Sequence, residues 1–299
     1  MIVFDADSRQ ALLSGALSIA AALAGTAAAV ALAFSLPVSL VTFALALLAA
    51  GLLAFAAWAA YQTYSLSHTS YAVDRNSFVV RWGGIREIVP MGDVQRVMPA
   101  VDIAGALEFR RLPLPGWWSG EGRHPELGRV RLYATAPLDQ QVVIVTPGTC
   151  YAISPPDLPE FVAAFDVRFR MGPMQAVRAA RLSPAVMNAR LWREPATLVL
   201  LLLPILVNAL IFGLAFARYP ALQEPIVLHF NAAGAPDRFG QAAQVFGPAL
   251  IALGLLAVNL LLGLLIYRLD RLAAYLLWGG NTGIQLLFLV AMITISFSA

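Results

Sequence analysis

The chain has 299 residues, of which 60% are hydrophobic and only 12% are charged. A soluble domain commonly carries about twice that charged fraction, so the composition excludes an ordinary soluble protein. The net charge is +3, all basic residues are arginine, and no basic tail is present, which argues against a protein that tracks nucleic acid.

Five uncharged, apolar blocks predict membrane-spanning helices. The blocks are residues 11–34, 38–61, 196–217, 239–267 and 272–299. Each exceeds the roughly 20 apolar residues that cross a bilayer core, and spanning backbone has to satisfy its own hydrogen bonds. The first block is too long for the apolar part of a cleaved signal peptide, and a second block follows after a three-residue turn. We therefore expect a polytopic α-helical membrane protein with five transmembrane helices.

Residues 62–166 form a more polar region between the second and third blocks. Short alternating segments separated by turn residues predict strands. The strands are expected at residues 70–74, 77–82, 86–90, 94–99, 129–134, 141–145 and 150–153, with an irregular stretch over 100–128. A helix to about Phe165 follows, with Ser154 or Asp157 as its N-cap. Its expected apolar face is Leu158, Phe161, Val162 and Phe165.

Several short segments of this region carry a family resemblance. They are Tyr71-Ala72-Val73-Asp74, residues 78–82, Arg86-Glu87-Ile88-Val89-Pro90, Tyr133-Ala134-Thr135 and Tyr151-Ala152-Ile153-Ser154-Pro155. With these residues the region resembles the bacterial pleckstrin-homology-like (PH-like) domains attached to membrane helices, over about residues 63–166. The resemblance implies an inserted cytoplasmic β-barrel that closes with one helix and acts as a binding or assembly module. Cys150, the single cysteine, agrees with a reducing compartment.

Two parts of this inner region are candidate contact sites. The loop 112–120 contains two adjacent tryptophans and either contacts lipid or a partner, since tryptophan favours the membrane interface, or covers one mouth of the barrel. The segment 167–193 has six arginines and no acid, and Pro173 and Pro184 divide it into two expected short helices. It either lies on anionic headgroups or only flanks the third span. The candidate residues are Trp117, Trp118, Arg178, Arg181, Arg190 and Arg193.

Arginines near the span ends predict the orientation, because basic residues favour the cytoplasmic side. Arg190 and Arg193 precede the third block, and Arg268 and Arg271 lie between the fourth and fifth. We therefore expect a bacterial-type inner (plasma) membrane protein with cytoplasmic and extracytoplasmic parts. The N-terminus and residues 62–195 would be cytoplasmic, and the loop 218–240 and the C-terminus extracytoplasmic. The expected domains are residues 1–61, 62–166, 167–195 and 196–299.

The loop 218–240 carries the most specific motif of the chain. Its residues are Pro225, His229-Phe230-Asn231, Gly234, Pro236-Asp237 and Phe239-Gly240. The motif resembles the family called domain of unknown function 1648 (DUF1648), found in Sdp-type toxin-immunity membrane proteins, over about residues 200–262. That family often has a lysine soon after the last glycine, whereas Gln241 and Gln244 follow here, so a role for that positive charge is not carried over.

The loop residues suit an ordered turn. Asn231 and Gly234 favour a turn, and Asp237 either caps backbone amides or pairs with His229. The loop has a single histidine and no Glu-x-x-His spacing, so a metal site is the weakest interpretation. Structural locking of the loop and recognition of a ligand both remain open. The candidate recognition residues are Pro225, His229, Phe230, Asn231, Gly234, Pro236, Asp237 and Phe239.

The spans contain amides and a hydroxyl but no charges. Asn208, Asn259, Asn281, Thr282 and Gln285 are expected to form hydrogen bonds between helices. The absence of acids and bases in the spans disfavours a proton relay or an ion-coupled transporter. A membrane enzyme or small-molecule transporter would require a polar cavity among these side chains.

The sequence as a whole predicts a non-enzymatic membrane protein without a cofactor or metal, because motifs for nucleophilic, nucleotide or zinc chemistry are missing. Its outer loop would bind an extracytoplasmic peptide, toxin, lipid or protein in a sensing, immunity-like or signalling role. Its PH-like domain would bind a cytoplasmic protein partner. The alternative is a membrane scaffold or assembly factor in which the loop only orders the helices.

Overall fold

The computed structural model describes residues 1–109, 114–183, 194–231, 233, 235–267 and 269–298. Of residues 228–230 and 296–298 only the backbone is described. The chain divides into two compact units. Unit 1 comprises residues 1–24 and 52–187, and unit 2 comprises residues 25–51 and 188–299.

Seven α-helices occur in the described residues. They are α1 (Arg9–Ser35), α2 (Leu40–Ser67), α3 (Val101–Ala104), α4 (Leu158–Met171), α5 (Pro195–Arg218), α6 (Phe246–Ile266) and α7 (Arg271–Ser298). All except α3 and α4 are long and apolar enough to cross a membrane, which confirms the five predicted helices. The predicted start of the fourth block at Phe239 is wrong, because Phe239 and Gly240 end a strand and α6 begins six residues later at Phe246.

Unit 1 contains ten strands in its described part. They are β1 (Ile2–Asp5), β2 (Ser70–Val73), β3 (Ser77–Trp82), β4 (Ile85–Pro90), β5 (Arg96–Pro99), β6 (Trp118–His124), β7 (Gly128–Ala134), β8 (Val142–Val145), β9 (Thr149–Ile153) and β10 (Ala180–Leu182). They form two five-stranded sheets, in the orders β1-β2-β3-β4-β10 and β5-β8-β9-β7-β6. Neighbouring strands are antiparallel except β7 and β9, which run parallel.

The predicted closed β-barrel is wrong, because the two sheets do not join at their edges. Closure would require β4 to pair with β5, but residues 86–88 of β4 pair with β10 instead. The other edge is occupied by β1, which pairs along β2. The added strands β1 and β10 therefore form the backbone hydrogen bonds at the two sheet edges that would otherwise be made between the sheets of a closed barrel.

The core of unit 1 lies between the sheets and α4. Phe161 and Phe165 project from α4 and are 0% and 3% exposed, and their rings pack against Phe78 at centroid distances of 6.1 and 6.2 Å. Burying each such ring stabilises the fold by roughly 1.5–3 kcal/mol. Asp157 caps the helix, since its carboxylate accepts a hydrogen bond from the Glu160 amide at 2.8 Å. Of the predicted apolar face, only Val162 is mostly outside this core, at 41% exposure.

The segment after α4 differs from the two short helices expected there. Residues up to Met171 continue α4, and Gly172 ends it with a positive φ of 66°. Residues 173–179 have no regular structure and β10 follows. Arg75 and Asn76, in the β2–β3 turn, hold this connection: Arg75 donates to the Gly172 carbonyl oxygen and Asn76 accepts from the Met174 amide. The second expected helix falls on residues 184–193, outside the described residues.

Unit 2 is a bundle in which α5, α6 and α7 pack together. Its apolar core includes Val207, Ile211, Ala249 and Met292. Neutral amides join the helices: Asn208 donates to Gln285 Oε1 at 3.0 Å, and Gln285 donates to the Ala252 carbonyl oxygen at 2.8 Å. Asn259 lies 3.5 Å from Asn281 on the neighbouring helix. The expected hydrogen bonds between spans are therefore present for these four amide side chains, whereas Thr282 bonds to the Trp278 carbonyl of its own helix.

Candidate functional site

The motif-bearing loop of unit 2 forms a β-hairpin between α5 and α6. Its strands are β11 (Ile226–Phe230) and β12 (Pro236–Gly240). Val227 is opposite Phe239, but the register shifts twice, so that His229 is opposite Arg238 and Phe230 is opposite Pro236. These shifts leave Leu228 and Asp237 as extra residues, and extra residues of this kind bend a strand pair.

Asn231 organises the turn of the hairpin. Its Oδ1 accepts hydrogen bonds from the amides of Ala233 at 3.0 Å and Ala235 at 2.9 Å. Its own amide donates to the Ala235 carbonyl oxygen at 2.9 Å. A short amide side chain folds back on the backbone in this way where a turn needs an acceptor. The sequence predicted the turn at Asn231 but not the role of its side chain as the acceptor. Gly234, the other predicted turn residue, is outside the described residues.

The base of the hairpin is fixed to the bundle. Ile226 is 1% exposed and belongs to the core formed by α5, α6 and α7. Glu224 Oε1 accepts a hydrogen bond from the Ala242 amide at 2.9 Å, on the far side of the hairpin. Gln241 and Gln244 form a reciprocal capping box that opens the short 3-10 turn before α6. The two glutamines that replace the family's basic residue therefore have a structural task here.

The outer strand of the hairpin is exposed. Phe239 is 57% exposed, and Pro236, Asp237 and Arg238 are also exposed. Pro225 precedes the hairpin and follows a cis peptide bond. The side chains of His229 and Phe230 lie outside the described residues, as does the predicted pairing of His229 with Asp237. The structure thus brings the predicted residues into one hairpin and places an exposed aromatic ring on it.

The two tryptophans of the inner region occupy different environments. Trp117 is 4% exposed and packs with Ala11 of α1 and Trp58 of α2. Its indole N–H donates to the Ala11 carbonyl oxygen at 3.4 Å. Trp117 therefore packs inside unit 1 and presents no ring to a partner, because α1 and α2 cover it. Trp118 is half-buried at the start of β6, and its contact with lipid or a partner stays a prediction.

The inner arginines are also distributed unevenly. Arg178 is exposed in the segment before β10, and Arg190 and Arg193 lie outside the described residues. Arg181 lies on β10 directly opposite Glu87 of β4. It makes ion pairs with Glu87 at 3.3 Å and with Glu121 at 3.6 Å. Arg181 thus forms ion pairs within unit 1. The sequence analysis, which proposed Arg181 for a contact with lipid or a partner, did not predict these ion pairs.

Arg181 belongs to a charged network between the two sheets, centred on the buried Glu87, with Glu121, Arg131 and Tyr133. Glu87 is 2% exposed and accepts from Arg131 at 2.8 Å and from the Tyr133 hydroxyl at 2.8 Å. Burial, followed by the charge of Glu87, raises the pKa of Tyr133 above its ordinary value. Burial acts to lower the pKa of the Arg131 guanidinium, but Glu87, Tyr133, Glu121 and Tyr151 together outweigh burial and raise that pKa.

The charged network was not found from the sequence. Its only local signal is the inward position of Glu87 between Ile85 and Val89, where alternation predicts an apolar residue. A cavity of about 220 Å³ adjoins the network and is bordered by Trp82 and Arg181. The Trp82 indole nitrogen is buried and has no hydrogen-bond partner in the part of the chain that the structure describes. Within the same residues, no group of three His, Cys, Asp or Glu side chains could hold a metal ion.

These features define the class of the protein: five apolar helices indicate a multi-pass membrane protein, and a two-sheet domain is inserted between the second and third helices. Comparison with protein families identifies both parts. Residues 69–169 match the family model described as a bacterial PH domain. Residues 200–253 match the model of a domain of unknown function, DUF1648. These matches confirm the fusion expected from the sequence. No curated protein and no solved structure matches the chain.

Proposed function

We propose that the protein is a non-enzymatic membrane receptor-like protein whose β11–β12 hairpin recognises an extracytoplasmic peptide or protein. The inserted PH-like domain would bind a cytoplasmic partner and relay or stabilise the assembly. The observation that carries the proposal is the build of the hairpin. Its base is fixed by Ile226 and Glu224 and its turn by Asn231, while Phe239 on the outer strand stays 57% exposed.

A preorganised hairpin with an exposed aromatic ring suits recognition. Aromatic side chains are enriched among the residues that dominate binding energy at interfaces. A fixed hairpin loses little conformational entropy on binding, so more of the contact energy appears as affinity. The register shifts in β11–β12 also disturb the regular edge that would otherwise favour unspecific strand pairing. The immunity-like and signalling roles are specific forms of this proposal.

The orientation is tested by single-cysteine labelling in intact cells. Cys150 is 1% exposed, so it contributes little background. Arg238→Cys on the hairpin should react with a membrane-impermeant maleimide without permeabilisation, and Arg178→Cys should react only after permeabilisation. Both positions are exposed in the structure, so accessibility depends on the side of the membrane. Labelling of Arg178→Cys in intact cells would overturn the orientation.

Recognition is tested by site-specific photo-crosslinking in native membranes, because the chain has no lysine for amine-reactive reagents. A photoreactive residue replaces Arg238, with and without Phe239→Ala. Met174→Ala is the matched control, since Met174 is also an exposed apolar side chain, at 71% exposure. Crosslinked partners should be lost with Phe239→Ala and retained with Met174→Ala. Equal crosslinking in both variants would refute recognition by Phe239.

A membrane scaffold is the second candidate function. It is favoured by the burial of Ile226 and by the Glu224 bond to Ala242, which tie the hairpin to three helices. On that interpretation, Ile226→Ala lowers the stability of the bundle while Phe239→Ala changes neither stability nor partners. The two candidates therefore differ in the result for Phe239, not in the result for Ile226.

A further inference from the structure

A second cavity of unit 1, of about 640 Å³, has a pronounced basic lining. Three segments form it: the residues just before α1, the residues at the end of α2, and the turn that joins β3 to β4. The volume is within the range of about 300–1,000 Å³ that small-molecule sites occupy. None of the residues discussed above as candidate site residues lines it.

The cavity lies where two candidate membrane spans end. Ser8, which lines it, immediately precedes α1, and Ser67, which also lines it, is the last residue of α2. Both helices are apolar enough to cross a membrane. A cavity at the shared end of two spans is at the level of lipid headgroups if the spans are inserted.

Arg81 and Arg86 dominate the charge of the cavity. They are directly opposite each other on β3 and β4, and both are exposed. Like charges in this position destabilise a sheet, yet neither arginine has an ion pair with another described residue. Asp5 is the one acidic residue in the lining, and β2 separates it from Arg81. The net charge of the lining is therefore positive.

His68 also lies in the lining, at the end of α2. Its ring packs beside Tyr64 at a centroid distance of 4.3 Å, and its Nδ1 lies 2.9 Å from the Tyr64 carbonyl oxygen. A carbonyl oxygen only accepts, so Nδ1 carries the hydrogen of this contact.

The β3–β4 turn is fixed against α2, which makes the basic lining a built feature. Gly83 has a positive φ of 53°, and a Cβ atom there would collide with the side chain of Ser65 on α2. Glycine thus allows the turn to approach the helix closely. This contact sets the distance between the arginines on the sheet and His68 at the helix end.

We propose that this cavity binds a phosphate group, supplied by the headgroup of an anionic phospholipid or by a soluble phosphate. The arginine forks suit bidentate contacts to phosphate oxygens, and a bound anion relieves the repulsion between the two guanidinium groups.

A second pair of opposed arginines provides the matched control. Arg123 and Arg129 are directly opposite each other on β6 and β7 and do not line this cavity. Their removal changes the net charge by the same amount as removal of Arg81 and Arg86. A difference between the two double variants therefore reports on the cavity and not on overall charge.

The test is native mass spectrometry of the full chain in mild detergent, titrated with phosphatidylglycerol. Wild type is compared with Arg81→Gln/Arg86→Gln and with Arg123→Gln/Arg129→Gln. Each arginine near an anionic surface contributes about a factor of five, so the cavity variant should bind about 30-fold more weakly. The control variant should stay within about threefold of wild type, because Arg123 and Arg129 do not line the cavity.

Competition with inorganic phosphate and with phosphatidylcholine identifies the source of the phosphate. Displacement by inorganic phosphate at millimolar concentration supports a soluble ligand, and resistance to it supports a lipid headgroup. Equal weakening in both double variants would show unspecific attraction and overturn the proposal. Unchanged binding in the cavity variant would overturn it as well.

A stability measurement keeps the proposal testable if the double variant folds poorly. The single variants Arg81→Gln and Arg86→Gln each remove one of two opposed like charges. Without anionic lipid, their Tm should therefore equal or exceed that of wild type, while phosphatidylglycerol raises their Tm less. A lower Tm without lipid would show that the arginines stabilise the fold, and would contradict the proposal.

Discussion

The two units bury polar side chains of different kinds. Unit 1 buries the carboxylate of Glu87 between its sheets, where Arg131 and Arg181 pair with it. Among the described residues of unit 2, the buried polar side chains are neutral amides and hydroxyls, with Gln285 bonded to both Asn208 and the Ala252 carbonyl oxygen. Each choice agrees with the surroundings that the sequence implies, since α5, α6 and α7 are candidate membrane spans and the sheets are not.

The cost of transfer from water explains the difference. A buried ion loses several kcal/mol of solvation, which only close partners with good geometry offset. Two sheets can supply such partners from several strands at once, as β7 and β10 do around Glu87 of β4. In a lipid-facing bundle a charge is costlier still, whereas neutral amides form interhelical hydrogen bonds of modest energy. The comparison predicts that the two networks respond to truncation by different amounts.

Glu87→Ala should produce the largest loss of stability. It removes the buried one of the two carboxylates that Arg131 and Arg181 contact, and breaking a buried pair in this way costs about 3–5 kcal/mol. Glu121→Ala is the matched control, because Glu121 contacts the same two arginines with its side chain 37% exposed. Its loss should cost less than about 1 kcal/mol. Thermal unfolding of the detergent-solubilised chain measures both. Similar costs for the two variants would show that burial does not set the strength of this network.

Gln285→Ala should have an intermediate effect on unit 2. It removes hydrogen bonds to α5 and α6 from a side chain that is 0% exposed, and interhelical bonds of this type are worth about 1–2 kcal/mol in total. Thr282→Ala is the control, because the Thr282 hydroxyl bonds only to the Trp278 carbonyl oxygen of its own helix among the described contacts. Unfolding in a denaturing-detergent titration should rank the variants in that order. A larger loss of stability in Gln285→Ala than in Glu87→Ala would contradict the expectation that the charged network of unit 1 is the more sensitive to truncation.

Asn231→Ala extends the comparison to an exposed amide. Its two bonds to the Ala233 and Ala235 amides are exposed, so their loss should cost about 1 kcal/mol and act locally. Hydrogen exchange should accelerate at those two amides and stay unchanged in α6. Asn231→Asp keeps the accepting oxygen and should retain slower exchange. Unaltered exchange in Asn231→Ala would mean that the strands alone hold the hairpin.

The sequence predicted elements that depend on local pattern. Hydropathy predicted the five long helices, and alternation placed Ser77–Trp82 with the boundaries that the structure has. In contrast, β1 and β10 were missed because each is short and forms only by pairing with a strand of the PH-like domain. The expectation of an irregular stretch over 100–128 was also wrong, since β6 (Trp118–His124) lies in it and pairs with β7. The pairing of β1 and β10 also explains why the sheets stay open where the family resemblance implied a barrel.

The candidate site, like the fold, was predictable from the sequence only where local pattern determines it. The turn role of Asn231 follows from its residue type, whereas the anchoring of Ile226 and Glu224 depends on helices that only the folded bundle brings near. The Glu87 network joins residues 44 positions apart in the chain, and no local periodicity encodes such a pair. The cavity with Arg81 and Arg86 likewise depends on the approach of the Gly83 turn to α2.

Glu194 is the less buried counterpart of Glu87, with its side chain 31% exposed, and should give the smallest effect. It precedes α5 and accepts hydrogen bonds from the Tyr275 and Tyr267 hydroxyls and from Arg271. The bond from Tyr275 is the main cause that lowers the pKa of Glu194 below its ordinary value of 4.5. The folded chain therefore binds this proton more weakly than the unfolded chain, and the stability that Glu194 contributes is lost as the pH falls below 4.5.

Glu194→Gln removes this pH dependence while it keeps a similar shape. The Tm of wild type should exceed that of the variant slightly near neutral pH, and the difference should vanish in acid as the wild-type carboxylate is protonated. The comparison is made by thermal unfolding across the acidic range, with Glu224→Gln as the control because Glu224 bonds only to the Ala242 amide among the contacts that the structure describes. A Tm difference that persisted in acid would show that the tyrosine contacts stabilise unit 2 by packing, since an exposed carboxylate that acts through its charge cannot contribute once it is neutral.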